Sequence, residues 1–152
     1  MKTYSKISNI DFSPLLEEML EQRKKVQISL SGLSMFPFLM HGDIVQIDSI
    51  DLEKLNRGDV VVYKIDDKWI AHRLIKHNRK KNLYYMRGDS RIVKDIPIKP
   101  EQIKGVVSKI IKSRWKLAHF AIGKHKKYIT LFSPITAPIF NFWLWVRNND
   151  SS

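Results

Sequence analysis

Between Val26 and Ile111 the sequence breaks into six short runs of β-branched and aromatic residues: Val26–Leu30, Ile44–Ile47, Val60–Tyr63, Trp69–Ile75, Leu83–Met86 and Val106–Ile111. Runs this short suit strands rather than helices, and the alternation within them has the period of a half-buried sheet. Polar and glycine-containing segments separate them. A mostly β domain is therefore expected. Asp66-Asp67 predicts a tight hairpin between the third and fourth runs, because these residues tolerate the left-handed backbone of a two-residue turn. The segment from Asn78 to Asn82, carrying Arg79-Lys80-Lys81, predicts a second, exposed one.

The flanks differ from this pattern. Ser13-Pro14 reads as an N-cap followed by proline at the first helical position, and Leu15, Leu16, Met19 and Leu20 form a stripe among Glu17, Glu18 and Glu21. A short amphipathic helix over about 14–25 is expected. From Tyr128 to Val146 there is no charged residue, and Phe132, Phe140, Phe142, Trp143 and Trp145 crowd the segment. Ser133-Pro134 marks a second helix start, leaving about 13 residues before Arg147, whereas a membrane span needs roughly 20. An apolar C-terminal helix lying on the domain or in a membrane interface is expected, preceded by Lys124-His125-Lys126-Lys127. The chain thus divides into an N-terminal extension and helix (1–25), a β domain (26–131) and an apolar C-terminal helix and tail (132–152).

At 152 residues the chain suits one core. It has no cysteine, which excludes a disulfide framework, a thiol nucleophile and Cys-ligated metal. Lys and Arg number 27 against 15 Asp and Glu, and the net charge of +12 points to a polyanion or an anionic lipid surface as partner. The first residues run into Asp11, Glu17 and Glu18 without an apolar core. No signal peptide is read there, so the chain is expected to start in the cytosol and to associate with a membrane peripherally or through its C-terminal helix.

The chemistry concentrates in Ser31-Gly32-Leu33-Ser34-Met35-Phe36-Pro37, followed by Gly42-Asp43. Ser34 comes after a strand and a glycine and three residues before a proline, an arrangement that suits an exposed nucleophile and equally an ordinary turn. Three later segments decide the weighting: Arg57-Gly58-Asp59-Val60-Val61, Ala71-His72-Arg73-Leu74-Ile75 and Arg87-Gly88-Asp89-Ser90, with Asp95 beyond. In this order, over about residues 26–107, they resemble the boxes of the signal peptidase I superfamily, to which LexA-like self-cleaving repressors are related. The resemblance implies a signal-peptidase/LexA-like β-fold and a serine endopeptidase.

Where many members carry a lysine base, this chain has His72, as in the endoplasmic-reticulum and archaeal branch. The resemblance therefore implies Ser34 as nucleophile, His72 as general base and Asp95 as triad acid, with Asp89 as the alternative acid or a supporting residue. An imidazole with an ordinary pKa near ~6.5 accepts a hydroxyl proton at neutral pH, so activity is expected to fall below about pH 6.5. Ser31, Gly32, Met35 and Pro37 are the candidate substrate contacts. Some members place a hydroxyl two residues before the nucleophile to stabilise the oxyanion. Here that position is Gly32, leaving the Ser34 N–H as the expected donor, assisted by a neighbouring amide or the Ser31 hydroxyl.

Asp43 and Asp59 read as turn residues, and His41, His77, His119 and His125 as surface or interfacial groups. Neither metal nor cofactor is expected. Three functions follow. The first is cleavage of a signal or leader peptide after a small residue at the membrane surface, the peptide pairing with a strand edge near residues 26–33. The second is LexA-like self-cleavage, against which stands the absence of an Ala-Gly dipeptide. The third is a non-catalytic basic β module binding anionic lipid or nucleic acid. Nucleic acid is the weaker partner, since no aromatic stacking platform accompanies the charge. The sequence leaves oligomeric state open.

Overall fold

The computed structural model describes residues 13–131, 138, 139 and 142. Six strands form one antiparallel sheet: β1 (Val26–Ser29), β2 (Ile44–Asp48), β3 (Val60–Ile65), β4 (Lys68–Asn78), β5 (Leu83–Arg87) and β6 (Ile103–Lys112). Their spatial order is β1-β2-β6-β3-β4-β5, so β1 and β5 are the edges. All six runs read from the sequence became strands. Both hairpins lie where their polar residues placed them. Asp66 (φ 51°) turns the chain between β3 and β4, and Asn82 (φ 49°) closes the turn before β5.

Because side chains alternate across a strand, each face of the sheet collects its own core. One cluster joins Val45, Ile47, Val60, Val62, Val107 and Ile110 to Leu16, Leu20, Met35 and Leu39. The other joins Val61, Tyr63, Leu74, Tyr84, Met86 and Ile98. The turn holding Ser34 rests on the first cluster through Met35 and Leu39, so the serine is carried by buried apolar neighbours rather than by a free loop.

Helix α1 (Ser13–Glu21) packs on the first cluster through Leu16 and Leu20. Glu17 accepts from Lys64 on β3 (3.2 Å) and pairs with Lys104 on β6; the hydrogen bond from Lys104 is the main reason its carboxyl is held below the ordinary range. The helix is shorter than the 14–25 expected. Arg23 takes a left-handed conformation (φ 56°), and Arg23 N–H and Lys24 N–H return to the carbonyls of Leu20 (3.0 Å) and Met19 (2.9 Å). This is a Schellman ending with arginine where glycine is usual, which is why composition did not mark it.

Beyond β6, helix α2 (Ala118–Ile122) and helical residues 126–131 pack back on the domain. The N-terminal extension and nearly all of the expected C-terminal helix lie outside the described residues. Among the described residues no helix is long and apolar enough to cross a membrane.

Candidate active site

Strand β4 supplies two consecutive side chains that face opposite ways. The β3–β4 register sets Val61 opposite His72 and Val60 opposite Arg73, so His72 turns to the face of Tyr63 and Arg73 to the other. Each grips one aspartate of the segment after β5. His72 Nδ1 bonds Asp95 Oδ2. Arg73 makes a bidentate pair with Asp89, Nε to Oδ1 at 2.7 Å and Nη2 to Oδ2 at 2.6 Å.

The opposite nitrogen of His72, Nε2, stands 2.9 Å from Ser34 Oγ. Ser34, His72 and Asp95, far apart in sequence, therefore form one hydrogen-bonded line. Asp89 does not join it. Its carboxylate is buried against Arg73, whose Nη1 also donates to the carbonyls of Gly58 (2.7 Å) and Ala121 (2.8 Å).

The protonation states follow from the partners. Burial pushes the Asp95 carboxyl up, but the hydrogen bond and charge of His72, the Tyr63 hydroxyl and the charge of Arg91 outweigh it and hold the group below the ordinary range. Asp95 is thus an anion that only accepts. The Tyr63 hydroxyl, pushed well above its ordinary value by burial and then by the Asp95 charge, keeps its proton and donates to Asp95 Oδ2 at 2.9 Å. For Nδ1 of His72 to bond the same anion it must carry hydrogen. In the neutral ring this leaves the lone pair on Nε2, facing the serine, as a general base requires. The tautomer is assigned from these partners.

Tyr63→Phe keeps the buried ring and removes one donor from Asp95. The carboxyl is then expected to titrate at higher pH than in the wild type, read by carboxyl ¹³C NMR. An unmoved titration would contradict this account of the carboxylate. The sign for stability follows from the depressed value: the Asp95 contribution is present above the unfolded pKa, near ~3.9, and is lost as pH falls through the lower folded one.

Gly88-Asp89-Ser90 holds the turn of Ser34 by three different means. A Cβ on Gly88 would stand 2.5 Å from the Ser34 carbonyl oxygen and 3.2 Å from His72 Nε2, so only glycine lets the segments approach. Asp89 ties the segment to Arg73. Ser90 N–H donates to the Ser34 carbonyl (3.0 Å), and its hydroxyl lies 2.9 Å and 3.0 Å from the carbonyls of Leu33 and Ser34. Gly88→Ala is expected to cost about 1–3 kcal/mol of stability as the backbone gives way. It should also lower activity more than tenfold, since the Ser34–His72 distance changes first; urea unfolding and a rate assay check both.

Ser34 opens on a groove of about 1110 Å³. Ile28, Leu30, Ser31, Gly32 and Met35 line it, as does the segment from Ser90 to Ile96. Ile92, Val93 and Ile96 are exposed there, 56–77%. Gly32 (φ +83°) has nothing within 4 Å of where a Cβ would stand, which leaves the approach to Ser34 open. Among the described residues the Ser34 N–H has no backbone hydrogen-bond acceptor. Ser31, Gly32 and Met35 reach the groove. Pro37 is buried and does not line it.

Asp43 and Asp59 each accept a backbone N–H three residues upstream, from Met40 (2.9 Å) and Asn56 (2.7 Å), which is turn chemistry. His41, His119 and His125 are exposed, and His77 stacks on Tyr84. No group of His, Asp or Glu able to hold a metal occurs among the described residues. Sequence reading missed Tyr63, and it missed that Arg73 and Ser90 hold the aspartate segment in place. Tyr63 was findable, because a two-residue turn at Asp66-Asp67 sets Ile65 opposite Lys68 and hence Tyr63 opposite Ile70, next to His72 on the same face.

Compared with known families, residues 2–110 match the family model described as Peptidase S24-like. The chain belongs to the Peptidase S24-like family. That family covers LexA-like and signal peptidase I peptidases, so membership agrees with the resemblance carried by the sequence boxes. It makes the chain a serine peptidase by family, with peptides or proteins as substrates. No curated protein matches the sequence.

Proposed function

We propose that this S24-like peptidase is a serine endopeptidase of signal-peptidase type, cleaving an extended signal or leader segment after a small residue at a membrane surface. The observation that carries the reading is the unbroken line from Ser34 Oγ through His72 to Asp95 at the mouth of an open groove. Ser34 attacks the scissile carbonyl while His72 Nε2 takes its proton. Asp95 fixes the Nδ1–H tautomer and stabilises the imidazolium. The Ser34 N–H faces the developing oxyanion. His72 then returns the proton to the leaving amine, and water hydrolyses the acyl-serine by the same path.

The edge position of β1 supports an extended substrate. Leu30 N–H donates to Asp43 and its carbonyl accepts from Gly42, so by antiparallel alternation the backbone groups of Ser29 and Ser31 face the free edge. A peptide pairing there gains main-chain hydrogen bonds with little demand on sequence.

Self-cleavage is the second reading, favoured by the family match itself. One peptide series separates the two: leader-like peptides varied only before the scissile bond, with products identified by mass spectrometry. Cleavage in trans after Ala, Gly or Ser but not after Leu or Lys supports the proposal. A shortened chain with every peptide intact would establish self-cleavage instead.

A further inference from the structure

Helix α2 is arranged in reverse of a core helix. It buries its two alanines, Ala118 and Ala121, and leaves Phe120 49% exposed. Leu117, just before it, and Tyr128 and Leu131 after it are exposed too. The aromatic groups among them stand near one another. The ring of Phe120 lies 6.3 Å from that of His125, which lies 6.3 Å from that of Tyr128. Lys127 Nζ stands 5.1 Å over the Tyr128 ring.

The stretch of sequence that carries this surface holds charge of one sign. From Gln102 to Asn149 the sequence contains nine Lys or Arg and no Asp or Glu. Lys116, Lys124 and Lys127 are exposed. Aromatic side chains at the level of lipid headgroups, with lysines reaching phosphate, are the chemistry of an interfacial site on anionic bilayer.

The surface is also fixed to the catalytic strands. A Cβ on Gly58 would stand 2.7 Å from the Lys126 carbonyl. Lys126 pairs with Asp59, Arg57 Nε donates to Thr130 Oγ1 at 2.9 Å, and Arg73, next to His72, holds the Ala121 carbonyl. What seats the surface therefore orients the site.

We propose that the face formed by Leu117, Phe120, Lys124, Lys127, Tyr128 and Leu131 docks on an anionic lipid bilayer and sets the orientation of the Ser34 groove above it. This face lies beyond the residues that match the family model. The inference deepens the membrane part of the function proposed above, and it is tested without catalysis.

The full chain is sedimented with phosphatidylcholine vesicles with and without 30% phosphatidylglycerol. Three variants accompany the wild type: Lys124→Glu/Lys127→Glu, Phe120→Ser/Tyr128→Ser, and a control removing charge elsewhere, Arg79→Ser/Lys80→Ser/Lys81→Ser. Binding to the anionic vesicles is expected to weaken about tenfold or more in the first two variants and less than about twofold in the control. Thermal melting shows that each variant is folded. Equal loss in the control would overturn the proposal in favour of diffuse charge. Unchanged binding in the face variants, wild-type indifference to phosphatidylglycerol, or preference for single-stranded RNA at equal phosphate would overturn it too. Cleavage of a soluble peptide, assayed alongside, reports on the peptidase reading separately.

Discussion

Replacing Asp95 by asparagine is expected to lower kcat about 10⁴-fold with KM little changed, by the arithmetic of serine–histidine–aspartate sites. The asparagine fills the same space. It no longer presents an anion to Nδ1, so the tautomer with its lone pair toward Ser34 loses its preference and the imidazolium its stabilising charge. His72→Ala, which removes the base itself, should lose at least as much. Steady-state kinetics on a cleavable peptide measures both, and an Asp95→Asn rate within tenfold of wild type would contradict the assignment. Asp89→Asn is the informative neighbour, because Asp89 contacts Arg73 rather than His72. Its loss of activity should track loss of folded protein.

The largest effect on stability is expected at Arg73. Its side chain is fully buried and uses its fork on Asp89 and on two carbonyls from separate segments. Arg73→Met removes the guanidinium bonded to a buried carboxylate and the donor to two carbonyls. A loss of about 3–5 kcal/mol is expected, read as the shift in urea midpoint. Arg73→Met combined with Asp89→Leu should recover part of that loss, since the uncompensated charge has gone, though the aspartate segment then loses its anchor and activity stays low. A single variant within about 1 kcal/mol of wild type would show that the pair does not organise the fold.

The strands and hairpins were legible because period-two alternation and Asp/Asn turns are local signals, and nothing in the tertiary structure overrode them. Ser34, His72 and Asp95 were legible from ordered boxes and not from spacing, since nothing along the chain says that residues so far apart will meet. What stayed hidden depended on the fold in three dimensions. Tyr63 reads as one more apolar strand residue until the hairpin register sets it beside His72. Arg73 stands beside His72 in the sequence with no role read for it, yet it is fully buried, bonded to Asp89 in the segment after β5. Pro37 reads as a substrate contact, yet it is buried away from the groove lining. The end of α1 at Glu21 was hidden because an arginine adopts the conformation that glycine usually marks.

The central claim is that Ser34 performs the attack, and one comparison tests it most directly. Wild type and Ser34→Ala, matched for folded content, are incubated with the same leader-like peptide, and the products are weighed by mass spectrometry. The account predicts that the wild type yields two fragments whose masses sum to the peptide plus one water, while Ser34→Ala leaves the peptide whole. Fragments of the same masses from Ser34→Ala at a comparable rate would contradict it.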